Sequence, residues 1–135
     1  MRVLVMVSEP VSGEVVKDAI GEEVARDAEV LVVAPALNSK LRFFASDPDE
    51  AIARADDVQQ ESVERMNEEG VDAAGDTGES DPLQAIEDAL VTFDAQEVVL
   101  CTNPKGKRNW LEAGVVDDAK ERFPGVTVRH YEIGS

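Results

Sequence analysis

The sequence predicts an α/β protein, a doubly wound, five-stranded parallel sheet with helices on both faces, and three observations carry that expectation. Short valine-rich runs lack polar alternation, which suits strands buried on both faces. Amphipathic stretches of helical period fall between those runs. Each interval is long enough for a helical crossover, so the order β, α, β, α, β, α, β, α, β follows, and right-handed crossovers distribute the helices over both faces.

The first strand is Arg2 to Val7, stopped by Ser8, Glu9 and Pro10. Val15, Ala19 and Ile20 mark a short first helix. Glu29 to Ala34 is the second strand, stopped by Pro35. Ile52, Ala55, Val63 and Met66 share a helical face in a long acidic stretch, and Asp47-Pro48-Asp49-Glu50 supplies its start: a capping oxygen, a proline at the first helical position and a carboxylate reaching back. A shorter strand, Val71 to Ala74, lies between Gly70 and Gly75, with Gly75 to Ser80 read as a polar loop. Leu83, Ile86, Leu90 and Phe93 define the next helix, opened by Asp81-Pro82-Leu83-Gln84. Glu97 to Cys101 is the fourth strand. Leu111, Val115, Ala119 and Phe123 mark the last helix, behind the capping box Asn109-Trp110-Leu111-Glu112. Val126 to Ile133 alternates apolar with polar residues, as a strand at a sheet edge does.

The 135 residues read as one domain, residues 1–135, with no internal repeat. Thirteen basic against 29 acidic side chains give a net charge of −16, which repels phosphate backbones and anionic lipid, so nucleic-acid and membrane partners are not expected. Cys101 is the sole cysteine and His130 the sole histidine, which excludes an internal disulfide and a Cys/His zinc site. No run approaches the roughly 20 apolar residues of a membrane helix, and the reading is a reduced, cytoplasmic, soluble protein. The acidic surface is a dispersing coat or a docking face for an unknown basic protein partner.

In an open α/β sheet, ligands settle beyond the carboxyl ends of the strands where strand order reverses. The residues there are Ser8 and Glu9 after the first strand, Ala34 and Pro35 after the second, and Thr102 and Asn103 after the fourth. Lys105, Lys107 and Arg108 place three basic residues within four positions of an acidic chain, just before the helix start at Asn109. A helix start exposes backbone N–H groups, and Gly106 lets a ligand approach the backbone, so this loop is the candidate anion cradle. The alternative is a solvated loop that relieves self-repulsion. Cys101, closing an apolar strand, reads as a small buried hydrophobe rather than a nucleophile. His130 reads as a surface or interface residue, and Trp110 as packing.

The order of elements and the loop after the fourth strand resemble the universal stress protein family over nearly the whole chain. The first strand and its loop look like Met-Arg-Val-Leu-Val-Met-Val-Ser at Met1 to Ser8, and the fourth strand with its nucleotide loop like Glu97 to Gly114. A diverged bacterial branch is resembled at Ala34 to Ser39, Asp81 to Leu90 and Asn109 to Glu112. The resemblance implies a Rossmann-like, HUP-type fold and a role in stress response. Nucleotide-binding members carry an Asp where Ser8 stands. Their loop runs Gly, two residues, Gly, nine residues, then Gly-Ser or Gly-Thr, whereas here Thr102 stands near the first glycine and Gly106 near the second. Gly114 then follows after seven residues, with Val115 behind it. The resemblance therefore implies the fold more directly than ATP binding. It also implies a homodimer through the terminal strand, with Val126, Val128, His130 and Ile133 as interface candidates and Arg129 and Glu132 either pairing across it or protecting an open edge.

The reading is a small regulatory or ligand-sensing module, not an enzyme, with no catalytic residue and no metal. It has no obligatory cofactor, and its ligand class is a nucleotide or phosphate held at Ser8, Glu9, Ala34, Thr102, Asn103, Lys105, Gly106, Lys107, Arg108 and Gly114. The alternatives are a nucleotide-binding universal stress protein, an adenylyl- or phosphoryl-handling enzyme of the related α/β group, and an interaction module with no small ligand.

Overall fold

The structure, a computed structural model, describes residues 2–7, 11–35, 48–78, 82–102 and 115–132. Strand β1 (Arg2–Met6) is followed by helices α1 (Gly13–Ile20) and α2 (Glu22–Asp27), then β2 (Glu29–Pro35). Helix α3 (Pro48–Glu68) leads to β3 (Asp72–Gly78), α4 (Pro82–Thr92) to β4 (Glu97–Thr102), and α5 (Val115–Arg122) to β5 (Thr127–Glu132). All neighbours pair in parallel in the order β3-β2-β1-β4-β5.

The pleat sorts the core into two layers. Val3, Val5, Val30, Val32, Val99 and Cys101 point to one face, where Val16 of α1, Ala25 of α2 and Ala55, Val58 and Met66 of α3 cover them. Leu4, Met6, Val33, Val98 and Leu100 point to the other, under Ala85 and Ile86 of α4 and Ala119 of α5. The chain winds from β1 outward to β3 with helices on the first face. It then returns past β1 to β4 and β5 with helices on the second. A reversal of winding direction with a change of face is what right-handed crossovers require.

The two Asp-Pro helix starts are honoured by position, since Pro48 and Pro82 are the first residues of α3 and α4. Helix α3 ends in a Schellman motif. Gly70 takes φ +86°, the Val71 N–H donates to the Met66 C=O at 2.9 Å, and the Gly70 N–H donates to the Asn67 C=O at 3.3 Å. Arg122 joins α5 to Glu87 of α4 at 2.5 Å.

Two expectations are corrected. Gly75 to Gly78 is not loop but the second half of β3, paired with Val32 through Pro35 of β2. The sequence hides this because β3 lies at an edge, where parallel backbone pairing proceeds without the apolar side chains that mark buried strands. The second correction is α2, a helix with no expected counterpart. Only Ala25 of its six residues is buried, so it leaves no apolar period to read.

Candidate functional site

Strand order reverses between β1 and β4, so their carboxyl ends flank the crevice where doubly wound sheets hold ligands. Met6 lies in register with Leu100, and the Val7 N–H continues the pairing to the Val33 C=O at 3.0 Å. Thr102 is the last residue of β4, beside Glu132 of β5, and its backbone therefore stands at the rim of this crevice. Ala34 stands near the end of β2, but its side chain is buried in the first-face core, so only its backbone can serve a ligand. Ser8, Glu9, Asn103, Lys105, Gly106, Lys107, Arg108 and Gly114 lie outside the described residues, as do the capping box at Asn109 and Trp110. Ile133 lies outside them too.

The route from β1 to α1 shows what the crevice does not contain. The Val11 N–H donates to the Ser62 hydroxyl oxygen at 2.9 Å, and that fully buried hydroxyl donates to the Val58 C=O at 2.8 Å. Two residues on, the Gly13 N–H donates to the Glu69 carboxylate, and a Cβ at Gly13 would sit 3.4 Å from Val71. Val71 immediately precedes β3, so α1 starts near the amino end of that strand, away from the crevice. Its first amide, at Gly13, donates to a carboxylate of the same chain. Ser12 makes no side-chain capping bond, and Glu69 takes that place. The Gly13 amide is therefore not offered to an anion at the crevice.

Burial pushes the Cys101 thiol up to about 12, so it stays protonated and unreactive in the core, as a small hydrophobe does. Tyr131, which sequence reasoning passed over, packs against the α1-side cluster and donates from its hydroxyl to Asp18 of α1 at 3.1 Å. Burial first, and then the Asp18 carboxylate, raise its pKa. No sequence spacing marks that pair, because the two residues are 113 positions apart.

At β5, Val126 and Val128 are half-buried against the α4 and α5 layer, so their side chains belong to the core, and His130 is exposed. Arg129 is committed within the chain. Its guanidinium forks onto Glu97 of β4, Nε at 3.0 Å from Oε2 and Nη2 at 3.4 Å from Oε1. Among the described residues, no group of three His, Cys, Asp or Glu side chains is arranged to hold a metal ion. No helix among them is long and apolar enough to cross a membrane.

No family model matches the chain, and no curated protein matches its sequence. Solved structures do match. A universal stress protein family protein from Arabidopsis thaliana, solved with AMP bound, superposes with a TM-score of 0.65 at 16% identity, covering 98% of this chain and 91% of that one. A universal stress protein from Archaeoglobus fulgidus gives 0.62 at 20% identity, covering 98% and 97%. A family protein from Burkholderia pseudomallei gives 0.59 at 18%, covering 96% and 93%. Superposition over nearly the whole of each chain at such low identity establishes one thing about this chain, which is that it has the universal stress protein fold.

Proposed function

We propose that this protein is a regulatory, ligand-sensing module that takes a small phosphorylated ligand, an adenine nucleotide or phosphate, at the crevice between the carboxyl ends of β1 and β4. The observation that carries the reading is the reversal of strand order between those strands, which sets the carboxyl ends of β1 and β4 side by side, the ends from which the chain continues to Ser8 and to Asn103. The stretch after Thr102 holds Lys105, Lys107 and Arg108, a cationic group in a chain of net charge −16. AMP in the structurally similar Arabidopsis protein supports the ligand class. The reading assigns sensing rather than turnover, and Cys101, held protonated inside the sheet, serves it as packing and not as a nucleophile.

The test is native mass spectrometry with a thermal-shift series in AMP, ADP, ATP, cyclic nucleotides and phosphate, each with and without magnesium. Binding tighter than about 100 μM, about 5.5 kcal/mol, supports a sensor. Lys107→Glu with Arg108→Glu should remove the ligand-induced shift and leave the unliganded Tm in place. A parent that shows neither bound mass nor shift overturns the reading.

The same reading includes self-association through β5. Because the Thr127 N–H donates inward to the Gln96 C=O at 3.1 Å, alternation directs the backbone groups of Val128 and His130 away from β4. Proline at position 130 removes an outward donor without breaking a rung to β4. His130→Pro should therefore stay folded and sediment as a monomer where the parent is a dimer. A parent that is already monomeric disposes of the dimer.

A further inference from the structure

Strand β3 is the edge opposite β5, and part of its outward backbone is engaged from inside the chain. The Asn67 side-chain Nδ2 donates to the Ala73 C=O at 3.3 Å, and its Oδ1 accepts from the Ala73 N–H at 3.1 Å. Both backbone groups of a strand residue point to the same side, so Ala73, Gly75 and Thr77 are the residues that face away from β2. At the other end of the strand the Thr77 N–H donates to the Asp76 carboxylate at 2.9 Å. Two of the three outward positions are thus engaged, one at each end of the strand. Asp72 and Asp76 are also exposed, and charge on an edge strand repels an incoming copy.

Asn67 supplies a complete rung: one acceptor and one donor, spaced as a neighbouring strand would space them. A side chain anchored in the last turn of α3 thereby stands where a sixth strand would begin. We infer that Asn67 and Asp76 form an edge guard that keeps a second copy of this chain from pairing its own β3 against this one. Such β3-to-β3 pairing is self-complementary and would join two sheets into one.

The test is sedimentation velocity of Asn67→Ala with Asp76→Ala against the parent, in about 0.5 M salt so that the acidic charge is screened. The expected result is a concentration-dependent rise in weight-average mass, to about twofold over a monomeric parent and beyond twofold over a parent already paired through β5, whose two copies each present a β3 edge. In dilute solution the Ala73 and Thr77 amides should exchange faster than in the parent. Adding Ala73→Pro, which removes an outward donor without breaking a rung to β2, should return the distribution to the parent's. A folded double variant that sediments as the parent does overturns the guard. So does association that Ala73→Pro leaves unchanged, since it would run through another surface. If the double variant fails to fold, Asn67→Ala alone is read the same way.

Discussion

The Glu69 carboxylate accepts a hydrogen bond from the Gly13 N–H, so helix α1 is capped by a residue 56 positions further along the chain, and not by its neighbour Ser12. The Lys17 ammonium donates to the Glu69 C=O at 3.1 Å, which ties the next turn of α1 to the same residue. Glu69→Ala removes the acceptor at a helix start whose own residues offer none, and should lower stability by about 1 kcal/mol in urea unfolding. Ser12→Ala should change it by a few tenths at most. Equal losses in the two variants would return the capping role to Ser12.

Helix α3 crosses β3 at Gly75. A Cβ there would stand 1.8 Å from Gln59 Oε1 and 2.9 Å from a Val63 methyl carbon, so the absence of a side chain sets the helix-to-strand distance. Gly75→Ala should cost about 1 to 3 kcal/mol. The Gln59 amide is the movable part of the clash, so Gln59→Ala should recover part of the loss. Additive thermal unfolding effects in the double variant would count against the contact.

Glu97 and Arg129 differ in exposure, the Glu97 side chain at 11% and the Arg129 side chain at 48%. Removing the arginine therefore strands a carboxylate that has little water. Arg129→Met should cost about 2 kcal/mol, and Glu97→Gln in the same chain should return most of it. Arg129→Lys, which cannot fork, should fall between. If Arg129→Met alone is neutral, the pair contributes only as an exposed ion pair does.

Stability should fall in alkali. The Cys101 thiol ionises at 9.0 in its ordinary state and at about 12 in the fold, so between those values the unfolded chain holds fewer protons than the folded one. The stabilisation is complete below about pH 9 and is lost as pH rises through about 12, at most about 4 kcal/mol in all. Tyr131, raised in the same direction, adds to the slope. Urea midpoints measured from pH 8 to 11, with Cys101→Ala as control, test this. An unchanged slope in the control would assign the alkaline loss elsewhere.

Much of the architecture was legible because it rests on local chemistry. Val3, Leu4, Val5 and Met6 form an unbroken apolar run, which a strand shows when both its faces are covered, and they divide between the two layers as the pleat demands. Pro48 and Pro82 announced helix starts because proline suits a first turn that lacks amide partners anyway. The second half of β3 was not legible. Asp76, Thr77 and Gly78 have turn chemistry, and only pairing with Val33, Ala34 and Pro35 draws them into the sheet. At the candidate site, position alone was readable. Thr102 does end β4 and Ala34 stands one residue before the end of β2, yet the burial of the Ala34 side chain depends on the layer packed over that face of the sheet.

Composition and hydrophobic period by themselves determined the class of this protein, the order of its strands and the edge position of the last one. These follow from burial and backbone geometry that act within a few residues. Tertiary structure alone decided that Glu69 caps α1, that Gln59 rests on Gly75, that Asn67 closes the β3 edge and that Arg129 turns inward to Glu97. Each is a polar or close contact between segments, and its partner is chosen by where the sheet places the two elements, which no local pattern records.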